Sequence, residues 1–143
     1  MELSDELYDK ITDLTDEGND LCDEEEYEEA LKQYQKALAL VPEPKTDWEA
    51  ATWIYTAIGD CYYFLEKYNE AIESFNSAML CPDGIGNGFI TLRLGECYYK
   101  LGDKEKAGDF FVDTYMIEGM EIFEDEEEFK EFAEKTLKEK GVI

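Results

Sequence analysis

The feature that most constrains this chain is a glycine that returns three times with the same company. From Tyr55 to Pro82 the sequence reads Y-T-A-I-G-D-C-Y-Y-F-L-E-K-Y-N-E-A-I-E-S-F-N-S-A-M-L-C-P. Here Gly59 is followed by Tyr62, Ala71, Phe75 and Ala78. Around Gly18 the corresponding places hold Leu14, Leu21, Ala30, Tyr34, Ala37 and Pro42. Around Gly95 they hold Leu94, Tyr98, Ala107 and Phe111, with Thr91 and Thr114 as weaker fits. Apolar residues on either side of each internal break recur at three and four, as amphipathic helices require. Small residues fall where two helices must approach closely, and large ones on the faces that meet. A single helical hairpin cannot bury its apolar face, so about three must stack into a continuous core.

The pattern of Tyr55 to Pro82, with Ile58-Gly59, Tyr62, Ala71 and Phe75, resembles the tetratricopeptide repeat (TPR). The resemblance implies an all-α, right-handed TPR superhelix of three helix-turn-helix repeats plus a C-terminal capping helix. The chain is expected to be one domain, 1–143, with repeats at about 4–44, 46–83 and 88–121 and the cap at about 125–140.

The first helix is expected from about Ser4, a plausible N-cap, to Cys22, burying Leu7, Ile11, Leu14 and Leu21. Asp23-Glu24-Glu25-Glu26 breaks the pattern, Tyr27 to Leu40 forms the partner helix, and Pro42-Glu43-Pro44 stops it. The step from Gly18 to Gly59 is 41 residues, longer than the ~34 of a standard repeat. Thr46-Asp47-Trp48-Glu49 reads as a capping box, so the excess is expected to lengthen the next helix at its start. That helix would bury Trp48, Ala51, Tyr55, Ile58 and Tyr62. Cys81 to Gly88 is a loop able to adopt positive φ, and Leu101-Gly102-Asp103 is the turn of the third hairpin. Phe129, Phe132, Ala133, Thr136 and Leu137 trace the last helix.

Charge narrows the partners. Thirteen basic side chains stand against 37 acidic ones, a net of −24. Nucleic acid and anionic membrane surfaces would be repelled, and a basic protein would be attracted. Acidity for solubility alone is the bland alternative. Cys22, Cys61, Cys81 and Cys97 form no CxxC pair, and no histidine completes a zinc site. Cys61 and Cys97 each lie two residues after a repeat glycine, where packing explains them. Free thiols and the acidic start, Met1-Glu2-Leu3-Ser4-Asp5-Glu6, point to the cytoplasm without a signal peptide. Without histidine, a phosphate loop or an EF-hand, no catalytic residue, metal site or cofactor is expected.

In a TPR stack the first helices of the repeats line a concave surface, and the resemblance carries that role onto Asp16, Asn19, Trp53, Thr56, Asp60, Tyr63, Phe64, Phe89, Arg93, Glu96 and Tyr99. This is an aromatic floor with acidic walls, suited to holding a basic protein or peptide. The aromatics alternatively pack within the stack, or support a homodimer. Some TPR families clamp a C-terminal carboxylate with lysine, asparagine and arginine. Only Asn19 and Arg93 match that set here, while Thr15, Ala57 and Phe89 replace the rest, which disfavours a clamp. Residues 27–132 carry a narrower pattern: Asp47-Trp48, Ala51-Thr52-Trp53, Ala57-Ile58-Gly59-Asp60, Gly86 to Gly95, Tyr115-Met116 and Ile122-Phe123. It resembles small bacterial TPR proteins that accompany Rhs-type and other polymorphic toxins. That resemblance implies an immunity role, and a scaffold or co-chaperone adaptor is the alternative.

Overall fold

Side-chain caps start three helices of this chain, and repeated turns end three. The computed structural model describes residues 2–143, in which seven α-helices and two 3-10 turns occur without a strand. The helices are α1 (Asp5–Asp23), α2 (Tyr27–Leu40), α3 (Glu49–Phe64), α4 (Tyr68–Met79), α5 (Gly88–Lys100), α6 (Lys104–Glu118) and α7 (Glu127–Glu139). Ser4 does cap α1, its hydroxyl accepting from the Leu7 amide at 3.2 Å. Asn87 caps α5 and Asp103 caps α6 in the same manner.

The chain divides into two compact units, one ending at Ile85 and one beginning at Gly86. In the first, α1 pairs with α2, α3 pairs with α4, and α2 lies against α3. Its core holds Ile11, Ala30, Tyr34, Ala37, Ala51, Ile54, Ile58 and Cys61, with Trp48, Tyr55 and Tyr62 half-buried against it. In the second, α5 pairs with α6, and α7 packs on α6. Phe111, Phe123 and Phe129 are buried there among Tyr99 and Phe132.

The repeated glycine has one cause in each hairpin. A Cβ on Gly18 would sit 2.7 Å from the Tyr34 ring, one on Gly59 2.7 Å from Phe75, and one on Gly95 2.4 Å from Phe111. Only hydrogen leaves room for the ring that the partner helix brings to that spot. Gly108 plays a related part between α6 and α7, where a Cβ would meet the Thr136 methyl at 3.0 Å. Thr91 and Thr114, weak matches by sequence, are buried with their hydroxyl oxygens 2.8 Å apart, tying α5 to α6 by a polar pair.

The inter-helix turns also repeat. The Glu26 amide donates to Leu21 O and the Glu25 amide to Cys22 O, with Glu25 at φ 60. Lys67 and Glu66 bond Tyr62 and Tyr63 in the same way, and Asp103 and Gly102 bond Tyr98 and Tyr99. Each is a Schellman ending, with its pivotal residue left-handed.

One expectation fails. Thr46 to Glu49 form no capping box, and α3 is lengthened by less than expected: it starts ten residues before Gly59, where α5 starts seven before Gly95. Lys45–Asp47 curl into a 3-10 turn, and α3 begins at Glu49 after an extended Trp48 with no side-chain cap. The rest of the extra residues form a connection in which Lys45 Nζ bonds Val41 O at 2.9 Å. The pattern named residues able to bond, but the backbone at Thr46 is already turning and leaves its hydroxyl no helix end to cap.

Candidate protein-interaction surface

The outward stripes of α1 and α3 form an open face of the first unit. Helical spacing puts Tyr8, Thr12, Asp16 and Asn19 on one side of α1. Trp53, Thr56, Asp60 and Phe64 follow the same rule on α3. Asp16 and Asn19 are exposed, Trp53 is 39% exposed and Phe64 47%, while Thr56 and Asp60 are half-buried. The Thr56 hydroxyl donates back to Thr52 O at 2.7 Å, leaving its methyl and its oxygen lone pairs for contact.

Each end of this face is hollowed. Toward the C-terminal ends of α1 and α3, a depression of about 330 Å³ is lined by Asn19, Asp23, Tyr27, Asp60, Cys61 and Phe64, among others. The Tyr27 and Phe64 rings stack there at 4.9 Å. Beneath them the Tyr34 hydroxyl donates to Asn19 Oδ1 at 2.6 Å, and its oxygen lies 3.6 Å from Cys22 Sγ, which is 4.0 Å from Cys61 Sγ. Burial, then the neighbouring Cys22, pushes the Cys61 thiol far above its ordinary value, and burial does the same to the Tyr34 phenol. Both stay protonated at neutral pH, so Cys61 is no nucleophile. The charge of this hollow comes from Asp23 and Asp60.

At the other end, about 16 Å away along the helices, a larger pocket of about 630 Å³ opens between the first turns of α1 and α3. Trp53 lines it together with Tyr8 and Trp48. Neither Tyr8 nor Trp48 was singled out by sequence as a surface residue. Tyr8 had a legible signal, since it stands one turn before Thr12 on the same stripe.

Tyr63 is placed differently from its neighbours. It is 8% exposed, and its ring meets Phe64 and Tyr68 edge-on at 5.5 and 5.7 Å. It therefore supports Phe64 from behind, offering almost no surface of its own.

In the second unit, Phe89, Arg93 and Glu96 line a cleft of about 230 Å³ with Ile122, Phe123 and Phe129. Glu96 is 4% exposed, and its Oε1 accepts from Arg93 Nη1 at 2.8 Å. The guanidinium carbon also lies 5.0 Å from the centre of the Phe89 ring. Arg93 is thus engaged on its own helix, between a ring and a carboxylate. Tyr99 donates to Glu128 Oε1 at 2.8 Å and packs edge-on against Phe129 and Phe132. Lys104 Nζ sits 3.2 Å from the centre of the Tyr99 ring. Among the described residues, no group of three or more His, Cys, Asp or Glu is arranged to hold a metal ion, and no helix is long and apolar enough to cross a membrane.

Two family models, both described as Tetratricopeptide repeat, match residues 14–79 and 91–111, together more than half of the chain. The chain belongs to the tetratricopeptide-repeat family. No curated protein matches this TPR chain by sequence. Among solved structures, the type III secretion chaperone SycD of Yersinia enterocolitica, in complex with a peptide of the translocator YopD, is 17% identical with a TM-score of 0.73. The match covers 92% of the present TPR chain and 95% of SycD. PcrH in complex with the chaperone-binding region of PopD is 19% identical, TM-score 0.68, over 94% of this chain and 88% of the other. The second TPR domain of human RPAP3 with the HSP70 peptide SGPTIEEVD is 20% identical, TM-score 0.70, over 91% and 97%. At these identities the likeness is one of fold.

Proposed function

We propose that this TPR protein is a non-catalytic binding module that holds a segment of a partner protein, acting as an adaptor or chaperone for it. The observation that carries the reading is the exposed α1–α3 face, where Trp53 and Phe64 lie open between Asp16, Asn19, Thr56 and Asp60. Large rings at a solvent face gain most when a partner removes them from water. The solved TPR proteins of the same fold support a polypeptide occupant, since SycD, PcrH and RPAP3 each hold a peptide of another protein. The partner is expected to be basic, because charge of one sign speeds encounter with the other. Tyr63 enters the proposal only as support behind Phe64, and Phe89, Arg93, Glu96 and Tyr99 as a separate cleft of the second unit.

The test is co-purification with proteins encoded beside this chain's own gene, followed on a sizing column, for the wild type and for Trp53→Ala and Phe64→Ala. Loss of the complex in both variants, with an unchanged circular-dichroism spectrum, is expected. Full retention in both would move the partner off this face and overturn the reading.

A second reading is supported by the net charge of −24 and by the pattern across residues 27–132. In it the partner is a basic toxin domain and the chain its immunity protein. Co-expression separates the two. Protection from a neighbouring toxin favours immunity, whereas stabilisation of a secreted, non-toxic client favours the adaptor.

A further inference from the structure

The pocket between the first turns of α1 and α3 combines exposed rings with a dense negative rim. Three rings wall it: Tyr8, Trp48 and Trp53, of which Tyr8 is 53% exposed. Four carboxylates rim it, from Glu2, Asp5, Asp47 and Glu49, and no lysine or arginine is among its lining residues. Acids at the start of helices commonly offset the positive helix end, and this bland account must be weighed first. Two helix N-termini are worth about half a positive charge each, so four carboxylates leave about three negative charges uncompensated. The surplus is too large for dipole compensation alone. Its sign also rules out an anionic guest, despite the two helix N-termini.

We propose that this pocket receives a cationic side chain, arginine or lysine, presented by the partner polypeptide. A cation over indole and phenol faces is attracted by the ring quadrupole, and surrounding carboxylates add to that attraction. The aliphatic stem of the guest covers the rings while its charged head reaches the rim. At about 630 Å³ the space admits such a side chain together with part of its backbone. The occupant's being a polypeptide rests on the function proposed above; the selectivity for a cation rests on the pocket alone.

Trp48 and Trp53 are the two tryptophans of the chain, and both line this pocket. Intrinsic tryptophan emission therefore reports on it without a label. The probes are acetylated, amidated tripeptides Gly-Arg-Gly, Gly-Lys-Gly and Gly-norleucine-Gly, titrated into the full chain at low salt. The two cationic peptides are expected to give saturable changes, at about tenfold lower concentration than the norleucine peptide. Added salt should weaken them and leave norleucine unaffected. The double variant Asp47→Asn, Glu49→Gln keeps both tryptophans, and is expected to bind the cationic peptides about threefold to tenfold more weakly with an unchanged thermal melt. Norleucine binding as well as or better than the cations would make this an apolar pocket and overturn the proposal. So would the absence of any saturable change, or undiminished binding by the double variant. A natural partner that still co-purifies in any of those cases overturns the pocket and leaves the adaptor reading standing.

Discussion

The two units use the same repeat to opposite ends. Up to Ile85 there are 22 acidic and 5 basic side chains; from Gly86 there are 15 and 8. The first unit leaves large rings in water, with Tyr8, Trp53 and Phe64 all exposed. The second packs its rings inward: Phe111 meets Phe123, Phe129 and Phe132 edge-on at 5.2, 5.8 and 5.8 Å. The seventh helix makes the difference. It delivers Phe129 and Phe132 onto Phe111 of α6, so that aromatic area closes the unit. Its lysines change the surface too, since Lys135 and Lys140 join Lys104 around a cleft between α6 and α7. Rings thus stay open to solvent on α1 and α3, and serve cohesion where α7 covers them.

The sharpest way to break this comparison is to remove a ring from each unit. Phe111→Ala takes out a fully buried ring at the centre of an edge-on cluster, and is expected to cost about 3–5 kcal/mol. Phe64→Ala removes a ring that is half in water and stacked on Tyr27, and should cost about 1 kcal/mol. Urea denaturation followed by circular dichroism measures both. Equal losses would mean that the first unit also depends on its outer rings for cohesion.

Alkali provides the next test, at a buried thiol of the first unit. The Cys61 thiol is raised above its ordinary 9.0 by burial and by the adjacent Cys22. A raised thiol favours the protonated folded form, so its contribution is complete below pH ~9 and is lost as the pH climbs above that value. Each proton released only on unfolding lowers stability by about 1.4 kcal/mol per pH unit. Buried Tyr34 adds the same slope above its ordinary 10.0. Cys61→Ala should flatten the fall between those values, seen as a smaller drop in melting temperature across that range. An unchanged slope would show that Cys61 ionises freely in the folded chain.

Much of this was legible in the sequence because it is local or repeats. Ser4 caps α1 as its position suggests, and Gly18, Gly59 and Gly95 mark the three places where a ring crosses a helix. Trp53, Phe64 and Asp60 also lie on the side of α3 where the repeat resemblance put them, whereas Tyr63, put there with them, is buried. What escaped depended on the third dimension. Thr46 to Glu49 match a capping box in letters, yet the 3-10 turn at Lys45–Asp47 denies it. Trp48 reads as a core residue, but its ring forms both a half-buried contact and a pocket wall. Tyr63 and Phe64 are adjacent and chemically alike, yet Tyr63 is buried with its ring edge-on to Tyr68 and Phe64 is exposed. The Thr91–Thr114 pair looked like a poor match because the pattern scores bulk, whereas these two meet through oxygen.

The smallest effect lies in the turns, where the two units solve one problem with different residues. The pivotal position is Glu25 at φ 60 and Glu66 at φ 61 in the first unit, and Gly102 at φ 87 in the second. A side chain in the left-handed region costs about 1–2 kcal/mol, because its Cβ crowds the following carbonyl. Glycine avoids that strain but loses more backbone freedom on folding, about 0.5–1 kcal/mol. Glu66→Gly should therefore stabilise the chain by about 0.5 kcal/mol. Gly102→Ala should destabilise it by a similar or somewhat larger amount. A Cβ at Gly102 would find nothing within 4 Å, so any loss there reports the dihedral alone and not a clash. Paired melts of the two variants decide the matter. If Glu66→Gly is neutral or harmful, the glutamate is contributing an interaction at the turn that offsets its strain, and the two units do not pay the same conformational penalty.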